Sequence, residues 1–110
     1  MLIVTTPILE GRSIRTYHGP VFSQVVAGFG VGRSFFGSLR SFAGGRSESH
    51  EELVHEIRAQ AIEDLKAEAA RLGANAIVGF TIDTEMIGSG SDGGLLKMHA
   101  MGTAVSLEAL

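Results

Sequence analysis

The sequence has no cysteine and no tryptophan, and its 110 residues include one tyrosine and two prolines. Without cysteine there can be no disulfide, no thiolate nucleophile, no iron–sulfur cluster and no zinc module built on paired thiols. The missing thiols fit a reducing, cytoplasmic compartment. Long apolar runs are lacking too: Met1-Leu2-Ile3-Val4 has no basic leader and falls far short of the ~20 residues that span a bilayer, so neither a signal peptide nor membrane insertion is expected. No nucleophile elbow occurs, and no pair of acids sits where its pKa values would be pushed apart, which weighs against an enzyme without deciding it. Gly28-x-Gly30-x-Gly32 brings its third glycine one residue too early for a dinucleotide fingerprint, and no βαβ unit follows. A formal net charge of −3, without aromatic–basic strand motifs, argues against nucleic acid.

What is present suffices for one domain spanning 1–110. Val54, Ile57, Ala61, Leu65, Ala69 and Leu72 recur at three-and-four spacing, with Ile62 at the edge, while Glu52, Glu56, Gln60, Glu63 and Ala67 take the other side. This pattern predicts an amphipathic helix over 48–72. Ser47 or Ser49 can cap its first amides, Ser49 and Glu52 have capping-box spacing, and Gly73 is suited to a left-handed C-terminal cap.

The rest reads as strands. Residues 13–18 and 21–27 are extended runs separated by Gly19-Pro20. Phe35 or Phe36, Leu39 and Phe42 suggest a short helix near 34–42. Alternation along 76–87 places Ala76, Val78, Phe80 and Ile82 against the long helix and turns Ile77, Gly79, Thr81, Asp83 and Glu85 away. A Gly/Ser loop over 88–94 leads into a returning strand, 95–107, where Met98, Ala100, Gly102 and Ala104 alternate with Lys97, His99, Met101, Thr103 and Val105.

Charge is unevenly distributed. Residues 1–46 hold five arginines against Glu10, a net of +4, whereas 47–110 hold 4 basic and 11 acidic groups, a net of −7. Such asymmetry suits head-to-tail contact between copies, the kind that closes rings. A mean hydropathy of +0.24 with 19% charged residues is adhesive for so small a chain, and Phe29, Phe35, Phe36 and Phe42 are read as inter-subunit anchors.

Several segments together resemble one family. Tyr17-x-Gly19-x-Val21, Gly44-Gly45-Arg46, Arg58-Ala59-x-Ala61, Leu72-Gly73-Ala74-Asn75-Ala76-Ile77-Val78-Gly79 and Gly102-Thr103-Ala104-Val105 are similar to those of the YbjQ-like proteins, an uncharacterised family labelled as heavy-metal-binding. The resemblance implies a small α+β subunit of YbjQ-like, dodecin-subunit-like form, with a curved antiparallel sheet on one long helix. It also implies assembly into a homopentameric ring.

Three groups of residues stand out as candidate sites. Gly44, Gly45, Arg46 and Ser47 lead into the helix N-terminus, where free amides and a guanidinium suit a carboxylate or phosphate, from a ligand or from a neighbouring subunit. Arg58 lies near the apolar stripe and is expected to form a buried ion pair with Asp83 or Glu85. Among His18, His50, His55 and His99, two pairs could hold a transition metal: Glu51 with His55, four apart on the helix, and His99 with Met101 on one strand face. The combined expectation is a homo-oligomeric binding or scaffold protein with an unidentified ligand. A heavy-metal-binding protein and an enzyme with its site at a subunit interface are the alternatives.

Overall fold

The computed structural model describes residues 1–28, 40–43, 50–87 and 94–109. Its elements, in chain order, are β1 (Leu2–Ile3), β2 (Ile14–Gly28), β3 (Arg40–Ala43), α1 (His50–Arg71), β4 (Ala76–Ile87) and β5 (Leu95–Leu107). The strands form one sheet in the order β1-β4-β5-β2-β3, with α1 packed mainly on β2 and β5. The expected α+β architecture is therefore present. The sheet is mixed rather than antiparallel: β5 runs antiparallel to both long neighbours, but β1 pairs with β4 and β3 with β2 in parallel.

Helix α1 ends where glycine permits it. Gly73 has φ +89°, its N–H bonds to the Ala70 carbonyl at 3.0 Å, and the Ala74 N–H reaches back to Ala69 at 3.1 Å. These two bonds are the paired closures of a Schellman turn, with Ala69 and Ala74 supplying the accompanying apolar contact in the core. The buried stripe is Leu53, Ile57, Ala61, Leu65 and Ala69, each four residues on from the last. Val54, expected on this stripe, is only half-buried, and Leu72 is exposed because the chain has already begun to turn away.

The run 13–27 forms one strand rather than two. Gly19, at φ +113°, sits in an irregularity of the β2–β5 ladder, so the Gly-Pro break bends the strand without ending it. Residues 40–42, expected in a short helix, belong to β3, whose register with Val25–Gly28 overrides their helical spacing. The remainder of that predicted helix, Phe29, Phe35 and Phe36, and the capping serines lie outside the described residues.

A second glycine changes which way β4 faces. Gly79 has φ +64° and lies where the β4–β5 register shifts between Val78 and Thr81. The extra residue of this bulge reverses the alternation. Ile77 therefore faces the helix, whereas Ala76 and Val78, predicted to do so, turn to the opposite side; beyond the bulge Phe80 and Ile82 pack against the helix core as expected. Ala76 and Val78 join Val105 and Leu107 in a second small core, covered by Val4, Leu9 and Ile14 of the N-terminal segment.

The small residues of β5 let β4 pack closely. A Cβ added at Gly102 would lie 2.5 Å from Ile77 Cγ2 and 3.3 Å from the Val78 carbonyl oxygen. Ile77 is fully buried and Val78 O is main chain, so neither can move away easily.

Two substitutions test these conclusions by thermal or chemical denaturation. Gly73→Val should cost on the order of 1–2 kcal/mol through the left-handed backbone it would have to adopt. Gly102→Ala, adding a single methyl group, should cost about 1–3 kcal/mol by overpacking.

Candidate ligand-binding face

Helix α1, with 22 residues, is ~33 Å long, while the 15 residues of β2 extend for ~50 Å. The helix thus covers part of one sheet face, and the N-terminal segment covers one end of the other. Among the described residues, no helix covers the rest of that second face. Strict alternation along β5 buries Leu96, Met98 and Ala100 toward the helix and turns Lys97, His99 and Met101 outward, as the sequence predicted.

Strand register aligns the outward residues in rows. Asp83, His99 and Gln24 occupy one row across β4, β5 and β2, and Thr81, Met101 and Phe22 occupy the next. Phe22 is 52% exposed and Met101 38%, although both are large apolar side chains. Phe22 meets the His99 ring edge-on, with centroids 6.4 Å apart at 79°.

His99 is the best-defined polar group of this face. Its Nδ1 accepts a hydrogen bond from Gln24 Nε2 at 3.1 Å, which places the proton of the neutral ring on Nε2. Nε2 is buried and without a partner. Turning the Gln24 amide over would reverse the arrangement: Nδ1–H would donate to Gln24 Oε1 and Nε2 would present a lone pair. In that state a histidine is both oriented and basic enough to ligate a metal.

The other metal pair lies elsewhere. Glu51 and His55 are exposed on α1, on the opposite side of the sheet from His99 and Met101, so the two pairs do not converge. His55 Nδ1 already accepts a hydrogen bond from Arg58 Nη1 at 3.2 Å. Among the described residues no cluster of three or more His, Asp or Glu side chains is placed to hold a metal ion.

The buried ion pair expected of Arg58 does not form with either acid. Arg58, Asp83 and Glu85 are all exposed. The reason is layering: Asp83 and Glu85 alternate with Ile82, which packs on the helix core, so they face away from α1 and from Arg58. The candidate anion or subunit contact Gly44, Gly45, Arg46 and Ser47 lies outside the described residues.

A polar junction that the sequence did not reveal joins the helix end to the sheet. Ser106 Oγ donates to the Gly73 carbonyl at 3.2 Å and accepts from His18 Nε2 at 2.8 Å. Asn75 adds two bonds to β5, its N–H to Val105 O at 3.0 Å and its Oδ1 accepting from the Leu107 N–H at 2.8 Å. The Ser–His pairing is not that of a hydrolase: Ser106 is 6% exposed and its proton is committed to a carbonyl rather than to the imidazole. Ser23, also buried, donates to the Ala61 carbonyl at 2.7 Å and ties mid-helix to β2. These partners are up to 88 residues apart in the chain, so the only local hint was an Asn two residues past a capping glycine.

Further along, Arg12 lines a hollow of about 310 Å³ with Gly11, Ser13, Glu108 and Ala109. Its Nη2 donates to the Glu108 carbonyl at 3.0 Å, a bond that holds the two ends of the described chain together.

Comparison with known proteins supplies context. A family model described as "Putative heavy-metal-binding" matches residues 1–108. A UPF0145 protein of Clostridium botulinum is 42% identical over 108 residues, covering 98% of this chain and all of the relative. One from Trichodesmium erythraeum is 43% identical over 107 residues, covering 97% and 99%. Among solved structures, a Pediococcus pentosaceus protein of unknown function, assigned to the DUF74 family, superposes with a TM-score of 0.66 at 18% identity, over 98% of each chain. At that identity the likeness concerns the fold alone.

Removing the junction hydroxyl checks its role. Ser106→Ala should lose about 1–3 kcal/mol, since it leaves the Gly73 carbonyl and His18 Nε2 without their partner. Urea denaturation followed by circular dichroism would measure the loss.

Proposed function

The chain belongs to the YbjQ-like (UPF0145) family, and on that footing we propose that it is a cytoplasmic, self-assembling binding or scaffold subunit, working as a homopentameric ring rather than as an enzyme. The observation that carries this reading is the helix-free sheet face, where Phe22 and Met101 stand open to water beside His99. Exposed aromatic and thioether side chains grouped on one face are what a contact surface contains before its partner arrives. A second copy of the chain is the partner this reading assigns to such a surface. The opposite charges of the two halves of the chain favour contact between unlike surfaces.

Heavy-metal binding is a second reading, favoured by one specific observation. His99 Nε2 is buried without a partner, held next to Met101 and oriented through Gln24. An imidazole and a thioether form a soft donor set suited to copper or zinc, and Asp83 lies across from His99 in the strand register. A third or fourth ligand would have to come from a neighbouring copy or from solvent.

Native mass spectrometry of protein purified without an affinity tag or added metal reports subunit number and bound metal together. A five-subunit mass is expected; a monomer at micromolar concentration sinks the ring reading. Phe22→Ser should lower the assembled fraction at least tenfold at high dilution. For the second reading, calorimetric titration with Cu²⁺ or Zn²⁺ should show affinity lost in His99→Ala. Equal affinity in that variant removes β5 from any account of metal binding.

A further inference from the structure

The hollow beside Arg12 lies just past the point where β2 begins and β5 ends, since Ile14 and Leu107 are register partners. Hydrogen bonds fix its walls. The Glu108 N–H donates to the Ser13 carbonyl at 2.9 Å, Arg12 Nη2 donates to the Glu108 carbonyl at 3.0 Å, and the Arg12 N–H donates to the Leu9 carbonyl at 3.2 Å. Gly11, at φ +83°, makes the tight turn between Leu9 and Arg12 possible. At about 310 Å³ the space falls at the lower end of the range that holds small ligands, roughly 300–1,000 Å³.

Arg12 has an unmet demand at this place. Among the described residues its guanidinium bonds to one carbonyl and to no carboxylate, and its Nε is buried without an acceptor. A half-buried cation without a counter-charge is destabilising, and so is a buried N–H without a partner. An anion in the hollow would relieve both.

We propose that this hollow is a binding site for a small monocarboxylate, held by the Arg12 guanidinium. The Nε–H and one Nη2–H of a guanidinium point the same way along one edge, a spacing that matches the two oxygens of a carboxylate. Nη2 carries two hydrogens, so it can keep the Glu108 carbonyl and still complete this fork. Ser13 adds a hydroxyl to the lining and Ala109 a methyl group, which together suit a carboxylate on a short acyl chain. Charge then limits the ligand. Glu108 lines the same hollow and is exposed, so its carboxylate repels a dianion such as phosphate more strongly than it repels a single carboxylate. Arg12 precedes Phe22 by ten residues, so this site is separate from the Phe22, His99 and Met101 face and stands or falls independently of self-assembly and of metal.

Titration of the full chain with acetate, followed by two-dimensional amide NMR, is the direct test. Resonances of Gly11, Arg12, Ser13, Glu108 and Ala109 should move together and saturate, while sodium chloride at the same ionic strength leaves them in place. Inorganic phosphate at neutral pH should bind at least threefold more weakly than acetate. Arg12→Gln should weaken acetate binding at least tenfold. Because that change also removes the bond to the Glu108 carbonyl, Glu108→Gln serves as a second variant in which the carbonyl and its bond remain. Losing only the opposing charge, it should bind acetate at least twofold more tightly. A wild type that acetate leaves unchanged, or shifts that chloride reproduces, would overturn the site. Wild-type affinity in Arg12→Gln, or weaker binding in Glu108→Gln, would remove the guanidinium and its charge from the account. Phosphate binding as tightly as acetate would overturn the assignment to a monocarboxylate.

Discussion

The hydrogen-bonded turn at the end of α1 determines how this molecule is put together. Gly73 closes the helix in a left-handed conformation, and within two residues the chain is anchored to β5 through Ser106 and Asn75. A helix joined to a sheet by a longer connection could slide or rotate on it; one fixed at its last carbonyl cannot. The direction of α1 over β2 and β5 follows, and so does the set of residues it buries, from Leu53 to Ala69. Ser23 repeats the device at mid-helix, where Ala61 is small enough to let the strand hydroxyl reach a helical carbonyl.

From that fixed placement comes the exposed face. A helix of ~33 Å cannot cover strands of ~50 Å, and it lies on one side only. The Gly79 bulge then divides β4 between two cores: below it, Ala76 and Val78 serve the small cluster closed by the N-terminal segment, and above it Ile82 serves the helix. As a result Thr81, Asp83 and Glu85 face outward beside His99, Met101, Phe22 and Gln24. The same bulge that completes the second core sets out the rows of the candidate face.

Self-association and metal binding are then two possible uses of one surface. Phe22 contributes apolar area and also packs on the His99 ring, and Gln24 holds that ring in place. The residues on α1 that sequence spacing had grouped for metal or charge, Glu51, His55 and Arg58, stand apart from it on the far side of the sheet.

The sequence by itself determined whatever depends on neighbours along the chain. The helical stripe, the capping glycine and the alternation of β5 are local patterns, and backbone geometry repeating over three or four residues, or over two, places Ile57, Ala61, Leu65 and Ala69, Gly73 and the β5 residues correctly; at the ends of the stripe Leu53 took the place given to Val54, and Leu72 fell outside it. Family membership was legible for the same reason, in short segments spread across the chain. Tertiary structure decided what depends on distant partners. Gly79 bears no local mark that separates a bulge from an ordinary strand glycine, yet it reverses the facing of Ala76, Ile77 and Val78. Residues 40–42 have helical spacing and became a strand because β2 offered a ladder. Arg58 and the acids of β4 looked like partners until the sheet came between them, while His18 and Ser106 met only because two strands brought positions 88 residues apart within hydrogen-bonding distance.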